Sequence, residues 1–273
     1  MPTTVGHDAT VTLLAEEFTA LAVLGASIDP AGWGAPTCLP GWTVRDNLSH
    51  VIGTESMLLQ RTAPERQGED GGHVRNAIGA ANEQWVDAMR GLSGPDMLAR
   101  LDEVTSARLA ALRSMTQADF DAPSWTPAGP NETYGRFMRI RHFDCFMHEH
   151  DMRGALGRPD RDDPAHVGSA LDEVSTGLGF IVGKRAQFPT GASVRIDLTG
   201  STPRTFLVQV AERAGLVDAL DGEPTVQVEL PAMLFLRLTG GREAAAAHLG
   251  DDVRVQGDSE LGQRLIDNLA FTI

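Results

Sequence analysis

Apolar positions in the first half of the chain fall three or four residues apart. Val11, Leu14, Phe18, Leu21 and Leu24 make one helical stripe, ended by Asp29-Pro30. The Pro- and Gly-rich stretch from Pro36 to Gly41 predicts a loop or tight turn. Thr43 reads as the N-cap of a second helix, with Asp46 in its first turn and Val44, Leu48, Val51, Ile52, Met57 and Leu58 along it. The polar stretch from Arg61 to Gly72 predicts an exposed loop. Helices are then expected from about His73 to Met89, Gly94 to Met115 and Tyr134 to Leu156, with a Pro/Asp-rich loop over Asp119 to Pro130. Long helices joined by short connections predict a bundle.

The pattern changes after Gly157-Arg158-Pro159. A helix is expected from about Ala165 to Val182, followed by strand-period runs at Ser193–Leu198, Thr205–Val210 and Thr225–Leu230. Pro231 opens a helix through Leu238, and Arg242 to Leu249 reads as a short helix. A short strand at Val253–Val255 and a helix over Glu260–Leu269 complete an α+β module. The expected domains are residues 1–160, a helical bundle, and 161–273, an α+β domain.

Composition narrows the function classes. The chain has 273 residues, 42% hydrophobic and 22% charged, which suits folded domains. Its 23 basic and 37 acidic residues give a net charge of −14, which argues against general affinity for nucleic acid or anionic membranes. Cys38 and Cys145 allow at most one disulfide and read as two buried or half-buried thiols. No signal peptide and no apolar run of membrane-spanning length is read, so a cytoplasmic protein is expected. A monomer is expected, since two domains can bury each other.

The densest polar run is His142 to Asp151, inside an otherwise apolar-striped helix. Asp144 and His148 are four apart and share a face, with Phe137, Ile140 and Met147 near it. Asp151 falls on roughly the same side. An inward Asp/His pair needs satisfaction, by a divalent metal or by a plain hydrogen bond. His50 on the second helix is a possible third ligand, and three protein ligands with open positions is a catalytic arrangement. His142, Glu149 and His150 point elsewhere and read as flank or surface. Arg75 follows the loop and could reach an anionic substrate. Trp42 reads as packing for the bundle end.

These residues carry a resemblance. Leu39-Pro40-Gly41-Trp42-Thr43-Val44-Arg45-Asp46-Asn47-Leu48-Ser49-His50 resembles the "C-P-G-W-(T/S)-V-x-D-(L/V)-x-x-H" segment of the mycothiol-dependent maleylpyruvate isomerase family, with Cys38 displaced by one place. Arg141 to Gly157 resembles that family's "D-x-x-x-H-E-x-D-(I/L)-R-x-A-L-G" segment, with His150 in its variable place. Leu236–Arg242 and Val253–Asp258 resemble its C-terminal domain. The resemblance implies a DinB-like four-helix bundle followed by a sterol-carrier-like α+β domain. It implies metal ligands at His50, Asp144 and His148, with aspartate where the isomerase has glutamate. Zinc is the ion that two imidazoles and a carboxylate suit, with nickel, iron or manganese also compatible.

The resemblance further implies mycothiol as cosubstrate and a small electrophile as substrate. The reaction is then an S-transfer or a maleylpyruvate-type cis–trans isomerisation. Arg75, Arg237 and Arg242 become candidate cations for a carboxylate-bearing molecule, and Asp151 a group that orients a ligand or relays a proton. A metal-dependent hydrolase and a non-catalytic binding protein are the competing readings.

Overall fold

The computed structural model describes residues 3–65 and 72–272. The chain divides into two compact units, Met1–Arg161 and Asp162–Ile273.

The first unit is a four-helix bundle of α1 (His7–Ala26), α2 (Val44–Leu58), α4 (Gly94–Arg113) and α6 (Tyr134–Ala155), with α3 (Ala77–Met89) packed against α2. Contacts run from α1 to α6, α6 to α2, α2 to α4 and α4 back to α1, so the ring closes around one core. The stripe Val11, Leu14, Phe18, Leu21 and Leu24 is buried there. By length and composition alone α1 could cross a membrane, with mean hydropathy 1.4. That corrects the expectation of no such run, although the apolar stripe of α1 is taken up by the bundle.

Local chemistry sets the helix starts. Thr43 and Asp46 close a reciprocal capping box on α2, which fixes where the His50 helix begins. Asn76 caps α3, so that helix starts later than the expected His73. Thr133 caps α6. A side-chain carbon on Gly53 would fall 2.4 Å from Trp85 Cβ, so glycine there lets α3 lie close against α2.

Two expectations for this unit change. The predicted loop over 119–130 instead holds a short helix, α5 (Gln117–Asp121), and a hairpin of β1 (Pro123–Thr126) and β2 (Gly129–Thr133). Half of the loop expected over 61–72, residues 66–71, lies outside the described residues.

The second unit begins with α7 (Pro164–Ser175), then a short turn, α8 (Leu178–Phe180), which runs into a π-type turn over Ile181–Arg185. The helix expected through Val182 is broken there. A five-stranded sheet follows, built from β3 (Ser193–Thr199), β4 (Arg204–Val210), β5 (Ala214–Leu216), β6 (Val226–Pro231) and β7 (Arg254–Gly257). Its order is β5-β4-β3-β6-β7, with β3 and β6 parallel and the other pairs antiparallel. Alternation puts Val194, Ile196 and Leu198 of β3, and Val226, Val228 and Leu230 of β6, in the core. Two more helices, α9 (Ala232–Thr239) and α10 (Ser259–Asp267), pack on β6. Phe235, Leu265, Ile266 and Leu269 close over the sheet and leave no space for a water molecule among them. The short helix expected at 242–249 is only a 3-10 turn, Ala245–Ala247.

Candidate metal centre

α2 and α6 lie side by side, and each points a polar row at the other. From α2 come Asn47 and His50. From α6 come Arg141, Asp144, His148 and Asp151, spaced three and four apart and so on one face.

His50 Nε2 lies 3.0 Å from Asp144 Oδ2, and His148 Nε2 lies 3.5 Å from Asp144 Oδ1. The ligating atoms of the three residues all fall within 4.8 Å of one another. The imidazoles meet edge to face, 4.8 Å between centroids. Both histidine side chains are buried, at 7% and 6% exposure, while the Asp144 side chain keeps 30%. The constellation therefore opens to solvent on its carboxylate side.

The two histidines are held differently. His148 Nδ1 donates to Asn47 Oδ1 at 2.8 Å and lies 3.1 Å from Asp151 Oδ2. Two oxygen partners place a proton on Nδ1 and leave the Nε2 lone pair facing Asp144. His50 Nδ1 is buried and has no hydrogen-bond partner among the described residues.

Charges around the centre follow from burial and pairing. Burial pushes His50 down, and the nearby Asp144 does not offset it, so this imidazole stays neutral. Burial also works against the charge of His148, but Asp144 and Asp151 outweigh it and raise its pKa. Burial would lift Asp144, yet His50, Arg141 and His148 hold it well below the usual carboxylate range.

Arg141 was not anticipated from sequence. Its guanidinium donates to Asp144 Oδ2, and its Nε donates to Glu55 Oε1 at 2.9 Å. Glu55 Oε2 accepts Arg108 Nε at 2.9 Å. Glu55, Arg108 and Arg141 are all buried. Asp144 is thus tied to a satisfied ion network on one side and open on the other. Asn47 was also missed. Both residues stand three before a centre residue on the same helix face, and that spacing is the signal that could have found them.

Asp151 sits where the sequence suggested, beside His148, and accepts the Cys38 thiol at 3.2 Å. Cys38 is exposed and Cys145 buried, and neither is in a disulfide, so Cys38 is not the shielded thiol expected. His142, Glu149 and His150 are buried, contrary to their reading as flank or surface. Glu149 is held by Arg153 and Arg161, and His150 Nδ1 donates to the Phe146 carbonyl, so each polar group finds its partner inside.

Arg75 stands exposed ahead of α3 and takes no part in the constellation among the described residues. Arg237 and Arg242 belong to the second unit. There Arg237 pairs with Glu243 at 2.8 Å and Arg242 donates to the Gly240 carbonyl.

Two imidazole nitrogens and a carboxylate at these separations suit a divalent ion of borderline softness with open positions left over. The fixed Nδ1 proton of His148 is the usual support for a ligating Nε2. The residues fit a metal.

Comparison with known proteins agrees with this fold. The family model described as the mycothiol maleylpyruvate isomerase N-terminal domain matches residues 14–153, and that of the SCP-2 sterol transfer family matches residues 183–269. A crystal structure of the mycothiol-dependent maleylpyruvate isomerase is similar in fold, with TM-score 0.60 and 18% identity. That match covers 94% of this chain and 96% of the other. A mutant of that isomerase matches with TM-score 0.58, 16% identity and the same coverage. A search of curated proteins finds no match.

Proposed function

The chain belongs to the mycothiol maleylpyruvate isomerase N-terminal domain family, and from that membership we propose that it is a divalent-metal-dependent enzyme using a low-molecular-weight thiol as nucleophile. In this reading the thiol is mycothiol, and the partner is a small electrophile. The product is either an S-conjugate or, when the thiol leaves again after bond rotation, the isomerised substrate.

The observation that carries the reading is the convergence of His50 Nε2, His148 Nε2 and the Asp144 carboxylate within 4.8 Å. These three would hold the ion, with zinc the best fit to the donors. A divalent ion held by these residues would supply one thing, a lowered pKa for a thiol beside it, so that the nucleophilic thiolate would be available near neutral pH.

The protein's own residues do the rest. Asp144 and two neutral imidazoles would contribute a single negative charge, so a dipositive ion held there would keep a positive charge to favour a thiolate. Arg141 donates to Asp144 Oδ2, the oxygen nearer His50, while Oδ1 faces His148. Asn47 and Asp151 keep His148 in the ligating tautomer. The 30% exposure of Asp144 marks the side from which thiol and electrophile enter. Asp151 is also the candidate group to take or return a proton, at Oδ1, the oxygen that the Cys38 thiol reaches. Arg75, Arg237 and Arg242 remain candidate partners for a carboxylate on the electrophile.

The test is turnover of zinc-loaded protein with maleylpyruvate and a panel of conjugated electrophiles, with and without mycothiol. The expected result is consumption that requires the thiol and is lost in His148→Ala. Turnover that proceeds equally without thiol would overturn the thiol reading in favour of hydrolysis.

A further inference from the structure

Trp42 sits in the turn before α2 and does more than pack the bundle end. Its ring centroid is 5.3 Å from that of His50 and 5.8 Å from that of His148, tilted 39° to each. One indole therefore touches both imidazoles of the centre. It is only half-buried.

The pose of this indole is fixed from three directions. Its Nε1–H donates to Glu83 Oε2 at 3.1 Å, and Glu83 is buried in α3. Glu83 Oε1 accepts Arg90 at 2.5 Å, and Oε2 also lies 3.2 Å from His73 Nε2. Burial pushes the Glu83 carboxyl up, but bonds from His73 and Trp42 and the charge of Arg90 hold it below its ordinary value. The preceding Gly41 has φ +81°, and a side-chain carbon there would lie 2.6 Å from His73 Nδ1. The turn is thus clamped between His73 and α2. Burying an ionised carboxylate is costly unless it is well paired, and here part of that pairing is the indole N–H.

We propose that Trp42 is the specificity wall of the centre: an electron-rich indole, held by Glu83 as positioning residue, that stacks on a planar conjugated electrophile beside the metal. The inference rests on the thiol-and-electrophile reading above and assigns to this one indole the preference for planar molecules over saturated ones of the same charge. Offset stacking on indole corresponds to a preference of about 3–10-fold for the planar partner.

The experiment is equilibrium binding to zinc-loaded protein, without thiol, of matched pairs: fumarate against succinate, and trans-cinnamate against 3-phenylpropanoate. Affinity is read by calorimetry, and indole emission in parallel. The expected result is tighter binding of the unsaturated member of each pair, with quenching of emission. Trp42→Leu should abolish preference and quenching, and Trp42→Phe should retain part of the preference, both with metal content unchanged. Equal affinities in the wild type, or a preference that survives Trp42→Leu, would overturn the proposal. So would loss of metal from both variants, which would make Trp42 a support for the histidines. No turnover is read here. A failure of thiol-dependent catalysis would therefore count against the preceding section and leave this binding preference standing.

Discussion

The helical unit buries Glu55, Glu83, Arg108, Arg141, Glu149 and Asp151, whereas the core of the second unit is Val194, Ile196, Val228, Leu230, Phe235 and Leu265. Among the described residues, His166 and Glu173 are the buried ionisable groups of that second unit. The sheet unit gains its stability from apolar area, which needs no exact partner. The bundle carries charges that are tolerable only where each is paired. Glu55 is shared by two arginines, and Glu149 by Arg153 and Arg161. Asp144 breaks this pattern: it is partly open and aimed at two imidazole nitrogens. Chemistry is therefore to be sought where a polar interior leaves one group incompletely closed.

The largest effect is expected at Arg141. Arg141→Met leaves Glu55 with one arginine and Asp144 without its guanidinium. Removing one partner of a buried pair costs about 3–5 kcal/mol. Urea unfolding followed by tryptophan emission checks this, because Trp33, Trp42, Trp85 and Trp125 all lie in the first unit. A loss under about 1 kcal/mol, the scale of an exposed pair, would mean that the network does not stabilise the bundle.

Phe235→Ala is the counterpart in the apolar core, where truncating a fully buried phenylalanine costs about 3–5 kcal/mol. Urea unfolding followed by far-UV circular dichroism should show that loss, while metal content stays at the wild-type value. A metal deficit in this variant would contradict the assignment of the centre to the bundle alone.

A smaller effect is expected behind His148. Asp151→Ala or Asn47→Ala removes one support of Nδ1 and should weaken metal affinity by about 10–100-fold, as measured by chelator competition. Unchanged affinity in both would remove the argument that these residues set the ligating tautomer.

The smallest effect is in pH. His148 is raised above its ordinary 6.5 in the metal-free protein, so a proton competes with the ion at Nε2. Stability that protonated His148 gives the metal-free protein is present below 6.5 and lost as pH rises through the raised value. Metal affinity runs the opposite way. It should begin to fall above pH 6.5 as the solution is acidified, approaching about tenfold per pH unit, in titrations from about pH 8 to about pH 6. His50, held neutral by burial, should add little over that range.

Much of both units was legible in the sequence because periodicity is local. The α1 stripe, the Thr43–Asp46 box and the alternation of β3, β4 and β6 each show within a few residues. The β1–β2 hairpin was not legible, since Pro123, Gly129 and Pro130 read as loop and only pairing across the turn makes a strand of them. His50, Asp144 and His148 stood out as polar residues on apolar stripes, and the helix spacing brought two of them together. Glu149 and His150 were misread because what lets them be buried comes from elsewhere. Arg161 reaches Glu149 from beyond the end of α6, a closeness no helical wheel displays. Arg141 and Asn47 stand three before Asp144 and His50 on the same helix faces, a spacing that could have flagged them, but their partners Glu55 and His148 lie on the facing helix.

The account stands on the claim that His50, Asp144 and His148 form one metal site. The most direct measurement is metal content per chain, by mass spectrometry of tag-free protein dialysed with excess zinc, for wild type beside His50→Ala and His148→Ala. The account predicts about one ion per wild-type chain and near none in either variant, with helical content unchanged. Wild-type protein that stays empty, or variants that keep the ion, would contradict it.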